Sequence, residues 1–301
     1  MRAINIKQVE AFVLAAELGS FRRAGDLLNT TQPNISARIA TLEGLLNRKL
    51  LDRDAGSVTL TPAGSALLGK ARAVLSAVDD LLVAANEPEL FHGRLRLGVT
   101  ELIVHSWLAD FLAEFNARFP NVDTELLVDF SANLSEALSH RTIDLALQSG
   151  PFETQTSGAI DLGAYPLVWV ASPVLGLAER ELTTAELARF PVLTYATHTQ
   201  PYRQMEQYFR KAGNVRVRLV PSTNLSASLK MTLEGLGVAC LPEAMISDLL
   251  AAGKLTRLQF GWRPDALVFQ ARFDSERAPN YVRQAAQIAA RVAHGSSQAS
   301  Q

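Results

Sequence analysis

Gln32, Asn34, Ser36 and Arg38 stand at even spacing behind Thr31, interleaved with the apolar series Ile35, Ile39, Leu42 and Leu46. Apolar positions three and four residues apart read as one face of a helix. Thr31 can cap that helix, and Pro33 is tolerated in its first turn. A side-chain amide pairs bidentately with an adenine edge, so Gln32 and Asn34 suit base reading, and Arg38 can reach a guanine or a phosphate. Thr31, Ser36 and, further on, Arg53 suit phosphate or base contacts. This is the chemistry of DNA recognition. On an isolated surface helix the same residues would only be solvated, so the surrounding elements must decide.

Other chemistries find little support. The five histidines, at 92, 105, 140, 198 and 294, are scattered without metal-ligand spacing. Cys240 is the single cysteine, which excludes an internal disulfide framework and fits a reducing compartment. It stands in an apolar strand, where packing is expected rather than redox sensing. Neither a phosphate-binding glycine loop nor a nucleophile elbow is present. Asp79-Asp80 reads as a solvated helix face. No catalytic constellation, cofactor or metal is expected.

The elements around Gln32 form a recognisable set. Ile6, Val9, Phe12, Val13 and Ala16 predict a helix over 5–18, ended by Gly19. Ser20 can cap a short second helix, Phe21–Leu28, and Asn29-Thr30 makes the turn into the third. Two amphipathic helices joined by a tight turn, behind a supporting helix, are a helix-turn-helix pattern. Residues 50–60 read as two strands around an Asp-Ala-Gly-Ser turn, a wing. Thr61-Pro62 then opens a helix to about Glu87, roughly 39 Å long at about 1.5 Å per residue. Its apolar stripe, from Leu67 to Leu82, exceeds what a small head can cover, so pairing with a second copy is expected. The first 75 residues carry ten Lys/Arg against six Asp/Glu, and the rest nineteen against twenty-four. A basic head on an acidic body suits contact with phosphate.

From residue 94 the rhythm alternates strand and helix. Strands are expected at 95–99, 122–129, 143–148, 166–172, 191–195, 215–220, 237–241 and 266–273. Helices are expected at 102–118, 133–140, 183–190, 202–212, 225–234 and 243–252, with a last one from Pro279 to about Ala293. This predicts an α/β body with mainly parallel sheets. No apolar signal core opens the chain and no apolar run is long enough to span a membrane, so a soluble cytoplasmic protein is expected.

The landmarks Gly19-Ser20-Phe21, Ala24, Leu27-Leu28, Thr31-Gln32-Pro33, Ile35-Ser36, Leu42-Glu43, Leu51-Asp52-Arg53 and Leu60-Thr61-Pro62-Ala63-Gly64 follow one another in an order that resembles the LysR family of transcriptional regulators. In the body, Arg141–Leu147 and Gly235–Pro242 resemble recurrent stretches of the same family. Three positions depart from the pattern. Gly25 replaces an alanine, at a propensity cost of about 1 kcal/mol. Ala37 stands where an arginine or lysine is common, and Leu51 replaces a phenylalanine.

The resemblance implies an N-terminal all-α winged helix-turn-helix, then a C-terminal α/β domain of two lobes built like a periplasmic binding protein. The expected division is a DNA-binding domain at 1–60, a linker and dimerisation helix at 61–91, and an effector-binding domain at 92–301. Lobe I would comprise 92–163 and 264–294, lobe II 164–263, and 295–301 a disordered tail. DNA contacts fall to Thr31, Gln32, Pro33, Asn34, Ser36, Arg38 and Arg53. Effector contacts fall to Thr100, Glu101, Ser131, Asn133, Ser149, Thr197, His198 and Asn224, with Phe152 and Thr199 nearby. Several of these could instead cap their own helices. Cations near the cleft are few, His198 and Arg203 being nearest, so the expected effector is a small polar metabolite. Tyr195 and Trp169 fit core packing better than an aromatic ligand. The expected partners are operator DNA, that effector, and a second copy in a dimer or dimer of dimers. An enzyme with an accessory helical head and an architectural DNA-binding protein with a vestigial pocket are the competing classes.

Overall fold

The computed structural model describes residues 4–54, 57–85, 91–152, 154–177, 181–211 and 215–299. The chain divides into two compact units. The first comprises Met1–Leu95, Asn116–Glu125 and Glu276–Gln284. The second comprises Arg96–Phe115, Leu126–Ser275 and Ala285–Gln301.

In the first unit, helices α1 (Ile6–Leu18), α2 (Phe21–Leu27) and α3 (Gln32–Leu46) precede the antiparallel pair β1 (Leu51–Asp54) and β2 (Ser57–Leu60) and the long α4 (Pro62–Ala84). Phe12, Phe21, Ile35, Ile39, Leu42 and Leu50 are buried together, and Leu67, Leu68, Ala71 and Leu75 of α4 pack on them. Asn5 opens α1 with a full capping box, and Gly19 ends it in the left-handed region at φ 60°. The wing turn at 55–56, Pro88 and the expected end of the linker near Glu87 lie outside the described residues. In the same unit Phe91 meets Phe119 edge-on at 5.5 Å, and Tyr281 donates to the Arg94 carbonyl at 3.2 Å.

The body is organised around two five-stranded sheets. Their strands are β3 (Gly93–Val99), β4 (Val122–Val128), β5 (Leu145–Ser149), β6 (Gly158–Tyr165), β7 (Leu167–Ala171), β8 (Glu181–Leu182), β9 (Val192–Thr194), β10 (Leu219–Pro221), β11 (Val238–Pro242), β12 (Thr256–Arg257), β13 (Gln259–Phe260) and β14 (Leu267–Phe273). One sheet has the order β4-β3-β5-β14-β6, the other β10-β9-β11-β7-β12, and β8 pairs with β13 alone. The chain changes sheets across Pro166, between β6 and β7, and returns with β14. Helices α5 (Glu101–His105), α6 (Leu108–Arg118), α7 (Ser131–Ser139), α8 (Thr184–Leu187), α9 (Gln200–Lys211), α10 (Leu225–Leu233), α11 (Glu243–Ala251) and α12 (Asn280–Ala299) complete it.

Four expectations are corrected. The sheets are mixed rather than mainly parallel: β14 runs antiparallel to both β5 and β6, and β7 to both β11 and β12. A returning strand that enters from the other sheet arrives in the opposite sense, which periodicity does not reveal. The expected helix 102–118 is two helices. Ser106 breaks it at φ −111°, ψ −86°, and its hydroxyl donates back to the Leu102 carbonyl at 2.8 Å. The break lets Trp107 bury its ring and donate Nε1 to Tyr165 Oη at 2.7 Å. The strand at 158–165 has no counterpart in the sequence reading, because Gly158, Asp161 and Gly163 interrupt its apolar alternation. Finally, 295–299 are the last turn of α12 rather than a disordered tail. One glycine lowers propensity by about 1 kcal/mol and does not stop a helix anchored by buried Val282, Ala286, Ala289 and Ala293.

Candidate nucleic-acid interface and ligand cleft

The reading helix is set by its neighbours. Ser20 caps α2 by accepting from Arg23 N at 3.3 Å, and Thr31 caps α3 by accepting from Asn34 N at 3.4 Å. The turn between them packs hard on Gly25, where a Cβ would lie 2.9 Å from the Thr30 carbonyl oxygen and 3.3 Å from Gln32 N. Gly25 is therefore the residue that lets the turn close, and its propensity cost is the lesser effect. Ile35 and Ile39 bury one side of α3, leaving Thr31, Gln32, Pro33, Asn34 and Ala37 exposed and Ser36 and Arg38 half-exposed. Asn34 Nδ2 donates to Thr30 Oγ1 at 2.8 Å, so its amide is partly engaged. Arg53 lies on β1 opposite Val58.

Glu43 was not expected to do more than mark a motif. Its Oε1 accepts from Leu50 N at 2.8 Å and Leu51 N at 3.2 Å, fixing where the wing leaves α3. Thr61 Oγ1 accepts from Gly64 N at 2.9 Å and donates to the Lys49 carbonyl at 2.7 Å, which locks the start of α4 to the segment leading into β1. The Leu-Glu and Thr-Pro-Ala-Gly landmarks are thus two ends of one joint.

In the second unit a cleft of about 870 Å³ opens at the ends of the strands of both sheets. Six of the eight expected effector residues line it: Thr100, Glu101, Ser131, Ser149, His198 and Asn224. Asn133 does not, because its amide donates to Asp129 Oδ1 at 2.8 Å. Thr197 is exposed in a turn outside the cleft lining, which Thr199 joins and Phe152 does not.

The lining residues differ in what they have left to offer. Asn224 Oδ1 accepts from Ala227 N at 2.7 Å and caps α10. Ser131 Oγ accepts from Ser149 N at 3.0 Å and lies 3.0 Å from Ser149 Oγ. Glu101 points across the cleft: its carboxylate accepts from Leu225 N at 2.7 Å, Ser226 N at 2.8 Å and the Ser226 hydroxyl. His105 Nε2 lies 2.6 Å from the same hydroxyl. His198 packs edge-on against Phe130 at 4.8 Å, and Arg203 lines the cleft with it. Thr100 stands at the start of α5 without capping it, and its Oγ1 is buried and unpaired. A buried hydroxyl without a partner is costly unless something supplies one.

Cys240 is fully buried opposite Trp169, and burial pushes its thiol well above the ordinary range. It is a packing residue with a protonated, unreactive sulfur. Among the described residues no cluster of His, Cys, Asp or Glu could hold a metal ion, and no helix is long and apolar enough to cross a membrane.

Known proteins match this chain in two segments. Residues 6–65 match the bacterial regulatory helix-turn-helix protein, lysR family, and residues 88–293 match the LysR substrate binding domain. The chain is 30% identical over 267 residues to the transcriptional regulator PtxR of Pseudomonas aeruginosa, covering 86% of this chain and 83% of that one. It is 27% identical to the regulator GltR of Bacillus subtilis over 255 residues, 84% of each. Among solved structures it resembles a Corynebacterium glutamicum OxyR mutant with TM-score 0.61 at 22% identity, covering 99% and 95% of the two chains. It also resembles full-length CbnR in complex with its target DNA, with TM-score 0.51 at 21% identity, covering 96% and 99%. These relatives are regulators rather than enzymes. With a matched helix-turn-helix head and a matched ligand-binding body, the chain belongs to the LysR family of bacterial transcriptional regulators.

Proposed function

We propose that this regulator reads an operator with α3 and responds to a small polar metabolite held in the cleft between its two lobes. The head would span 1–60, the linker helix 61–91 and the effector domain 92–301, with lobe I at 92–163 and 264–294 and lobe II at 164–263. Gln32 and Asn34 read base edges, Ser36 and Arg38 contact base or phosphate, and Thr31, Pro33 and Arg53 set the approach. The linker helix pairs two copies in the cytoplasm, as a dimer or dimer of dimers. Val74 and Leu81 of α4 are 44% and 67% exposed, which favours such a partner.

The observation that carries the ligand reading is Thr100 Oγ1, buried in the cleft wall with no hydrogen-bond partner among the described residues. A solved relative of similar fold, the Corynebacterium glutamicum regulator LysG, has an effector bound, there arginine. Effector binding would shift the lobes between two arrangements and so change the spacing or bending imposed on DNA. A gel shift with the full chain and the DNA upstream of its own gene, at stated salt and against scrambled competitor, tests the head. Specific binding that disappears in Gln32→Ala, with the fold intact, is the expected result. Operator affinity unchanged in that variant would sink the assignment.

A further inference from the structure

Arg272 carries a full charge into the interior of lobe I. It is 3% exposed on β14, and Gln148 on β5 is 0% exposed. Arg272 stands opposite Ala146 and Gln270 opposite Gln148, so the two side chains rise from the same face of the sheet as diagonal neighbours. Arg272 Nη2 donates to the Thr154 carbonyl, and the guanidinium carbon lies 4.8 Å from the ring centre of Phe152. Among the described residues its Nε and Nη1 have no hydrogen-bond partner, and neither does Gln148 Oε1. Gln148 Nε2 donates to Ser135 Oγ at 2.8 Å. Thr154 and Ser135, which hold the two buried side chains, both line the cleft.

An arginine stays protonated at accessible pH, so burial lowers its pKa without discharging it. A buried charge needs a counter-charge, and the Phe152 ring offsets only part of that need. Among the described residues no carboxylate accepts a hydrogen bond from it. Water could satisfy the free N–H groups, but among the described residues only the Phe152 ring offsets the charge. The Gln148 amide can turn over, giving Oε1 to the Ser135 hydroxyl and Nε2 to an incoming anion.

We propose that Arg272 and Gln148 form an anion seat behind the Ser135–Thr154 wall of the cleft, and that the effector is a carboxylate whose acid group enters there. This rests on the reading of the cleft as the effector site. It supplies the cation that the sequence reading, with only His198 and Arg203 near the cleft, lacked.

The test is saturation-transfer NMR on the methyl protons of acetate with the full chain. Saturable binding is expected in the wild type, weakened at least tenfold in Arg272→Gln and partly kept in Arg272→Lys. Lys230→Gln, at an exposed position of α10 outside the cleft lining, should leave acetate binding unchanged. If Arg272→Gln does not fold, Gln148→Met on the same face must weaken acetate binding for the seat to stand. Binding that persists in Arg272→Gln, or its absence from the wild type, overturns the seat. Chloride that displaces acetate at equal concentration overturns the carboxylate assignment. The two readings fail separately. Persistence in Arg272→Gln leaves the cleft's regulatory role standing, whereas Arg272-dependent binding that leaves operator affinity unmoved upholds the seat and removes that role.

Discussion

Glu101 and Ser226 are joined across the cleft, the carboxylate of one accepting from both the backbone N–H, at 2.8 Å, and the hydroxyl of the other. Together with Leu225 N at 2.7 Å, this seats a carboxylate from one lobe on the first turn of α10 in the other. A helix N-terminus favours negative charge, so the chain's own glutamate occupies a place that an anionic ligand could otherwise take.

Glu101→Gln removes the charge and nearly preserves the volume. It is expected to lower stability by about 1.5–3 kcal/mol, the range for hydrogen bonds to a charged group. Ser226→Ala should cost less, because both backbone donors remain. Denaturant unfolding of the two single variants and the double variant measures the coupling. Additive losses would mean the pair does not act as one tie.

Gly64 leaves no room for a side chain. A Cβ there would lie 2.0 Å from the Leu50 carbonyl oxygen, a backbone atom in the joint between wing and α4. Gly64→Ala is expected to destabilise the head by roughly 1–3 kcal/mol or more through overpacking. Gly69, on the same helix, has nothing within 4 Å of its Cβ direction. Gly69→Ala should stabilise by about 0.5–1 kcal/mol. Equal unfolding midpoints for the two variants would refute the close approach.

Cys240 predicts a pH effect with a definite sign. Burial raises its pKa in the folded chain, while the unfolded thiol titrates near about 8.5. Below that value both states hold the proton and pH has no influence through this group. Above it the unfolded state loses the proton first, so stability falls as pH rises. Tyr195, whose pKa burial also raises, adds in the same direction at higher pH. Thermal unfolding between pH 8 and 10 should show a decline that is shallower in Cys240→Ala. A thiol reagent should modify the native protein only as fast as it unfolds, and rapid labelling would contradict the buried, protonated sulfur.

Much of the head was legible because its signals are local. A cap lies three residues from the amide it accepts, as with Thr31 and Asn34, and a buried helical face repeats every three or four residues, as with Ile35, Ile39 and Leu42. The alternation of strands and helices in the body was legible for the same reason. Several expected cleft residues also fell on the cleft lining, since strand ends followed by helix starts can be placed from pattern alone.

What the linear chain determined on its own is therefore each element's type and its nearby caps, because those depend on contacts within a few residues. Tertiary structure alone decided the rest. It set the antiparallel entry of β14, the break at Ser106 that buries Trp107, and the closeness that makes Gly25 and Gly64 necessary. It separated Thr100, whose hydroxyl is free, from Asn133, whose amide is spent on Asp129. It also brought Arg272 beside Gln148 from positions more than a hundred residues apart. Burial, pairing and unpaired charge depend on which distant segments meet, and no local periodicity encodes that.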